Sequence, residues 1–498
     1  IITMYTTRAD ALGCYGNADA QTPHLDAFAA AGTLFEHCQT CTPQTLPAHT
    51  SIMTGLYPYV HGVRRNGVYR VDSAVQTLAE TLKDNGYATA ATVASFVLDR
   101  TFGLNQGFDT YHDVASTSTA QNRDRVERRG DEVSADAIAL LEQMRSKPFF
   151  LWVHFFDPHF PYESRFHADQ WSHEAYADEV AFLDGQIGHI LDALDRLKLA
   201  DNTLVIIVAD HGEAFGEHGE IDHGYFLYET TVHVPLLMRG KGMVPAAQRV
   251  ASTVRTIDLA PTILDLLNQP ALPDAQGVSL RPLLEGNTVE PPVASYTESV
   301  EANAVFDMSR LRGYTRAGWK YVLAPPPELF NLPNDPQEEK NLASSAVDQT
   351  EVLRKDLWTL IADAPPVIRS DDEELDLSLS DAGKLSSIGY VGGAPEERDE
   401  DAVELDTFDP TGESPLSHAE TITLYLSARR HMTEHQLAPA EKELQQVVVA
   451  VPTSSYPLRD LAQVLQGLGR TDEAADFYRR TIELKPTDLQ TQLLLATL

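Results

Sequence analysis

Along the first part of the chain, short apolar runs alternate with stretches of helical periodicity, and several of the runs end in clusters of His and Asp. Residues 149–153 and 204–208 read as strands, the second a continuous apolar run of the kind buried on both faces of a sheet. Between them Val180, Leu183, Ile187, Ile190, Leu191 and Leu194 recur at helical spacing and predict one amphipathic helix. Residues 1–4, 89–93 and 234–238 read as further strands. Helices are predicted over 22–31, with Thr22 as cap and Pro23 in the first turn, over 75–82, and over 257–267. Strands and helices in alternation predict an α/β chain with a mainly parallel central sheet and helices on both faces.

The pattern changes twice further on. From 293 to 342 short polar strands are expected around 313–321 and 328–331, a small antiparallel C-terminal subdomain. Residues 364–415 are rich in Asp, Glu, Ser, Gly and Pro and read as an acidic linker. Beyond it the chain repeats itself: Ala440 returns as Ala474, Leu444 as Tyr478 and Pro452 as Pro486, each 34 residues later. That period, with its small, bulky and closing Pro positions, resembles tetratricopeptide repeats and predicts an α-helical repeat tail. The domain reading is therefore a core over 1–292, the small subdomain over 293–363, the linker over 364–415 and the repeats over 416–498. Stacked helix pairs suit a peptide-like protein partner, and a tail of this kind is expected to be separable from small-substrate turnover.

Bulk properties exclude some functions. A formal net charge of −35 argues against a broad nucleic-acid surface, because phosphates would be repelled. An anionic small substrate stays compatible where a metal ion or a helix N-terminus supplies local positive potential. Three cysteines, Cys14, Cys38 and Cys41, leave room for one disulfide and match no common zinc spacing. No run of about twenty apolar residues is present to span a membrane. The chain starts at Ile1 inside a strand, so localisation stays open, with a periplasmic or secreted protein one reading if a leader has been removed.

Three polar segments follow strand ends, where open α/β sheets place their sites. They are Tyr5–Asp10, then His154 to Tyr162 with Asp157 and His159, then Asp210-His211-Gly212-Glu213 continuing to His218 and His223. A fourth runs from Pro43 to Gly55. In it Thr45 stands at the mouth of a short helix with Pro47 in the first turn, where free amides and the helix dipole favour an oxyanion. Taken alone, Thr45 reads as an ordinary helix cap; it is the company of the other three segments that points to chemistry.

In order and spacing these motifs resemble those of sulfatases within the alkaline phosphatase superfamily, over about residues 1–345. Thr45-x-Pro47-Ala48-His49 leading to Thr54-Gly55 is similar to the sulfatase signature, with His49 in its basic slot. Leu12-Gly13-Cys14-Tyr15-Gly16, Pro158-His159-x-Pro161, Asp258-Leu259-Ala260-Pro261-Thr262 and Glu328-Leu329-Phe330-Asn331-Leu332 are similar as well. The resemblance implies a metal-dependent hydrolase of sulfuric, phosphoric or phosphonic esters. Thr45 takes the slot where sulfatases carry a Cys or Ser that becomes formylglycine, and a secondary alcohol yields only a ketone on oxidation. A Thr nucleophile resembles instead the phosphodiesterase branch, where Asn66, 21 residues on, matches an Asn that holds a substrate oxygen.

By this resemblance Asp210, His211 and Thr45 are the metal ligands, while Asn66, His159 and His223 contact the oxyanion or protonate the leaving group. Asp157 orients His159 or holds a second metal, His218 is a loop residue or a participant, and His154 stands behind the ligands. Mixed His and carboxylate donors favour zinc or manganese, with calcium or magnesium as alternatives. Tyr5 stands where the family has a metal-binding Asp. That departure supports a second reading, a catalytically impaired scaffold that binds a protein partner through its repeats. Substrate choice is assigned to loops such as 116–132.

Overall fold

The computed structural model describes residues 1–117, 125–162, 172–288, 292–370, 375, 377, 379–388, 410 and 412–498. Fourteen strands run in chain order: β1 (Ile2–Met4), β2 (Thr33–Gln39), β3 (Ala88–Thr92), β4 (Thr110–His112), β5 (Phe149–Phe155), β6 (Val205–Ala209), β7 (Ala214–Phe215), β8 (Ile221–Asp222), β9 (His233–Arg239), β10 (Gln248–Arg255), β11 (Ser295–Ser299), β12 (Leu311–Arg316), β13 (Trp319–Leu323) and β14 (Glu328–Asn331). Eight of them form one sheet in the order β10-β2-β9-β6-β1-β5-β3-β4. All neighbours pair in parallel except β9, which lies antiparallel between β2 and β6. Helices pack against this sheet, four strands form a second, antiparallel sheet in the order β11-β12-β13-β14, and a helical tail follows. The fold class is the expected one.

Register brings the polar segments together. Met4 at the end of β1 pairs with Phe155 on one side and Ala209 on the other. Tyr5, Phe156 and Asp210 therefore leave the sheet at the same level, from its three central strands. The strands themselves are almost wholly apolar and buried, as a doubly covered sheet requires.

Local details differ from expectation where tertiary partners intervene. The helix expected over 75–82 is Leu78–Asp84, because Thr77 and Glu80 form a capping box that starts it later. Thr22 does not cap the helix Pro23–Ala30; its hydroxyl accepts from the Gly13 N–H, and Asp184 on the helix His173–Arg196 takes the amides of His24 and Leu25 at 3.1 and 2.8 Å. Strands β2, β4 and β10 and the helix Gly130–Met144 are additions to the sequence reading. The three cysteines are free thiols.

Two buried Arg–Glu pairs bind the small sheet to the core. Arg64 reaches Glu298 at 2.8 and 3.1 Å, and Arg65 reaches Glu301 at 2.9 and 3.1 Å, both bidentate. Lys320 of β13 is fully buried between Glu229 and Glu338, at 2.9 and 2.7 Å.

Within the region read as a linker, part lies on the core: the Ile368 N–H donates to Val60 O at 2.9 Å, and Leu385 is buried against Gly67. Residues 389–409 and 411 of that region lie outside the described residues. The tail comprises Ala419–Thr433, Leu437–Ala450, Ser455–Gly467, Thr471–Leu484 and Leu489–Ala496. Ile422, Tyr425 and Leu426 of its first helix share one apolar cluster with Tyr225, Phe226, Leu227 and Tyr228, which directly follow His223 and Gly224. The tail is thus packed against the loop that carries His223. Among the described residues no helix is long and apolar enough to cross a membrane.

Replacing Lys320 by Met would leave two buried carboxylates facing each other without a cation. A loss of about 3–5 kcal/mol is expected, read as a lower urea midpoint at unchanged slope. A midpoint equal to that of the parent would show that this triad does not hold the two sheets together.

Candidate functional site

Four elements converge at the end of the central strands. The helix Thr45–Thr54 begins at Thr45 itself, with Gln44 as its cap residue, so Thr45 lies at the positive end of the helix dipole. Asn66 is fixed beside it: its Oδ1 accepts from the Leu46 N–H at 2.8 Å and its Nδ2 faces Thr45 Oγ1 at 3.5 Å. Gln44 Oε1 in turn accepts from the Asn66 N–H at 3.0 Å, and Gln44 Nε2 donates to Glu301 Oε2 at 2.8 Å. The Arg65–Glu301 pair thus anchors the groups around Thr45.

Asp210 follows β6 and is fully buried. Its Oδ1 accepts from the amides of Thr6 and His211 at 3.2 and 2.8 Å, while its Oδ2 has no hydrogen bond. Thr6 adopts φ +40°, a costly backbone conformation for a β-branched residue, and in it the Thr6 amide points at Asp210. His211 Nε2 stands 3.5 Å from Asp210 Oδ2, and His49 Nδ1 stands 3.7 Å from the same oxygen. Burial raises the Asp210 carboxyl well above its ordinary pKa, lowers His211 well below its own, and lowers His49 to about 4.

Hydrogen bonds at the far ring nitrogens assign the tautomers. His211 Nδ1–H donates to Gly212 O at 3.0 Å and His49 Nδ1–H to Thr45 O at 2.8 Å, leaving a lone pair on each Nε2. Neither Nε2 has a hydrogen bond, and both residues are buried. Such orphaned buried atoms beside a desolvated carboxylate oxygen are the donor set a divalent cation satisfies. His49, His154 and Asp210 also place one donor atom each within 4.8 Å of one another. In His154, however, Nδ1 accepts from the Ala94 N–H at 3.2 Å, so its free Nε2 carries the proton and suits an anion better than a metal. Asp210 Oδ2 and His211 Nε2, 3.5 Å apart and both without hydrogen bonds, fit a metal, whereas the His49 nitrogen nearest Asp210 is Nδ1, whose hydrogen goes to Thr45 O.

Tyr5 occupies the middle of this constellation. Its fully buried ring has centroid distances of 4.9 Å to His159, 5.2 Å to His211 and 5.9 Å to His223. The hydroxyl meets His223 Nε2 at 3.2 Å, while His223 Nδ1–H donates to Pro43 O at 3.0 Å. The His159 ring stacks on Phe156 at 4.1 Å, its Nδ1 has no hydrogen bond, and burial lowers its pKa to about 3. His218 lies apart, stacked on Tyr228 with its Nε2 on Gln337 O.

Of the residues read from sequence, the structure brings together Thr45, Asn66, Asp210, His211, His159 and His223. Two positions take a different place from the one read. His154 does not stand behind the ligands but faces the centre, and His49, noted only for its slot in the signature, is beside Asp210. Helical spacing from Thr45 to His49 was the signal available for the second. For loop 116–132, residues 118–124 lie outside the described residues.

Comparison with known proteins identifies the family and the fold. A family model described as Sulfatase matches residues 1–269, and one described as N-sulphoglucosamine sulphohydrolase, C-terminal, matches residues 216–364. The chain is 26% identical over 416 residues to choline-sulfatase of Rhizobium meliloti (strain 1021), covering 66% of this chain and 79% of that protein. It is 26% identical over 431 residues to arylsulfatase K of Rattus norvegicus, covering 70% and 74%. The fold matches that of phosphonate monoester hydrolase of Agrobacterium radiobacter with a TM-score of 0.61 at 23% identity, over 72% of this chain and 95% of the other.

Tyr5→Asp should restore a carboxylate to the centre and remove a ring from it. Equilibrated with zinc or manganese and then desalted, that variant is expected to bind metal at least about tenfold more tightly than the parent, and Asp210→Ala to bind none. Equal metal content by plasma mass spectrometry in all three proteins would contradict the donor set.

Proposed function

The chain belongs to the sulfatase family, and on that premise we propose that it is a metal-dependent hydrolase of sulfuric, phosphoric or phosphonic esters that uses Thr45 as nucleophile. The observation that carries this reading is the juxtaposition of a helix-mouth threonine with a buried Asp–His pair whose facing atoms lack hydrogen bonds. Asp210 and His211, with Thr45 as third donor, would hold the metal, which when bound supplies Lewis-acid polarisation of the ester and lowers the pKa of a nearby hydroxyl.

The chain's own residues account for the rest. Thr45 Oγ attacks phosphorus or sulfur, one new ester bond forms, and the bond to the organic alcohol breaks. The Thr45 proton passes to solvent, the departing alkoxide takes one from His223 protonated at Nε2 beside the Tyr5 hydroxyl, and His159, kept neutral by burial, contacts the substrate. Water then cleaves the Thr45 ester and releases the inorganic acid. Asn66 Nδ2, the protonated Nε2 of His154 and the dipole of the helix that begins at Thr45 stabilise the oxyanion. Substrate is an anionic ester in either case.

We read the tail as tetratricopeptide repeats, in support of which Ala440, Leu444, Ala474 and Tyr478 are all fully buried at their 34-residue spacing. Tyr5 favours the second reading, an impaired scaffold, because its ring fills space near the metal donors. The two readings separate on turnover of an aryl phosphodiester, an aryl phosphonate monoester and an aryl sulfate. A hydrolase is expected to act on at least one of them and to lose about 10³-fold or more in kcat on Thr45→Ala. No turnover by the parent or by Tyr5→Asp would leave the scaffold.

A further inference from the structure

The site has a wall that neither the strand ends nor the small sheet provides. Beside His159 and His223 lies a cleft of about 70 Å³, lined also by Gln44, Glu213, Asp222 and Glu301. Phe160, Tyr225 and Ile388 line it too, and the tail's first helix contributes Leu426, Arg429, Arg430 and Thr433. Arg430 lies over the ring of Phe160, 5.6 Å from its centroid. Asp222 and Glu213 act on it electrostatically.

This helix is seated firmly. The Thr423 hydroxyl donates to Gly219 O, and the Ser454 hydroxyl of the next helix pair donates to Val305 O. Approach at Gly219 is so close that a methyl there would lie 3.0 Å from Ala419 Cβ. Tyr425 packs on Phe306 with centroids 5.2 Å apart. A space of this size holds a tetrahedral oxyanion or a few waters.

Building on the hydrolase reading above, we infer that the helix Ala419–Thr433 is a wall of the cleft and that Leu426 and Arg430 set the size of the organic group the site admits. The substrate class is then a compact anionic ester, and the tail belongs to the specificity of the site. Shortening either side chain enlarges the space next to His223 without touching Thr45, Asn66, Asp210 or His211.

The test uses the full chain with Leu426→Ala and Arg430→Ala, the second keeping the experiment open if the first loosens the tail. Diethyl pyrocarbonate labelling of His223, followed by mass spectrometry, measures access to the cleft without any need for turnover. Labelling is expected to be about tenfold faster in the variants, and kcat/KM for 4-methylumbelliferyl relative to ethyl esters of phosphate and sulfate is expected to rise about tenfold. Unchanged labelling together with an unchanged ester ratio overturns the wall. If none of the proteins turns over an ester, the hydrolase reading fails, and the labelling rates alone decide the wall.

Discussion

A carboxylate buried without water needs a proton or a cation, and Asp210 is placed so that the fold must answer that need. Register of β1, β5 and β6 puts it level with Tyr5 and Phe156. One of its oxygens is satisfied by two amides; the other faces imidazoles whose lone pairs have no donor. Everything else at the site depends on this imbalance. The strained Thr6 aims an amide at Asp210, and the helix at Thr45 adds its own positive end. A net charge of −35 does not by itself exclude an anionic ligand here, because the local potential is set by oriented amides and would be raised by a cation held at Asp210.

Around that centre the architecture is layered by function. Loops after the main-sheet strands supply Asp210 and His159, and the helix that follows β11 supplies Glu301, which pairs with Arg65 and through Gln44 holds the Asn66 amide against the start of the Thr45 helix. The tail closes the outer side. Tyr5 puts a buried ring among these groups and directs its hydroxyl to His223. Whether the centre is merely weakened or converted to another use depends on that single side chain.

Much of this is legible in the sequence. Apolar runs such as 204–208 mark buried strands, and the His and Asp residues after them are conspicuous because strand ends in open sheets are where sites gather. Strand β2, Thr-Leu-Phe-Glu-His-Cys-Gln, is not legible, since Glu36 and His37 interrupt its apolar pattern and only its neighbours β9 and β10 make it a strand. His49 and His154 escape for a different reason. Their roles depend on which ring nitrogen is tied, to Thr45 O in one case and the Ala94 amide in the other, and no spacing encodes that. The wall formed by Leu426 and Arg430 lies more than 200 residues from His223 in sequence. It becomes visible only when the tail packs.

The central claim is that a divalent cation and the Thr45 oxygen share one site. Anomalous diffraction at the zinc edge, from crystals equilibrated with zinc, tests it most directly. The account predicts a single peak about 2.0–2.2 Å from Asp210 Oδ2 and His211 Nε2, with Thr45 Oγ1 in contact with the ion or with a water it holds. A peak elsewhere in the molecule, or one at Asp210 that leaves Thr45 Oγ1 remote, would contradict it.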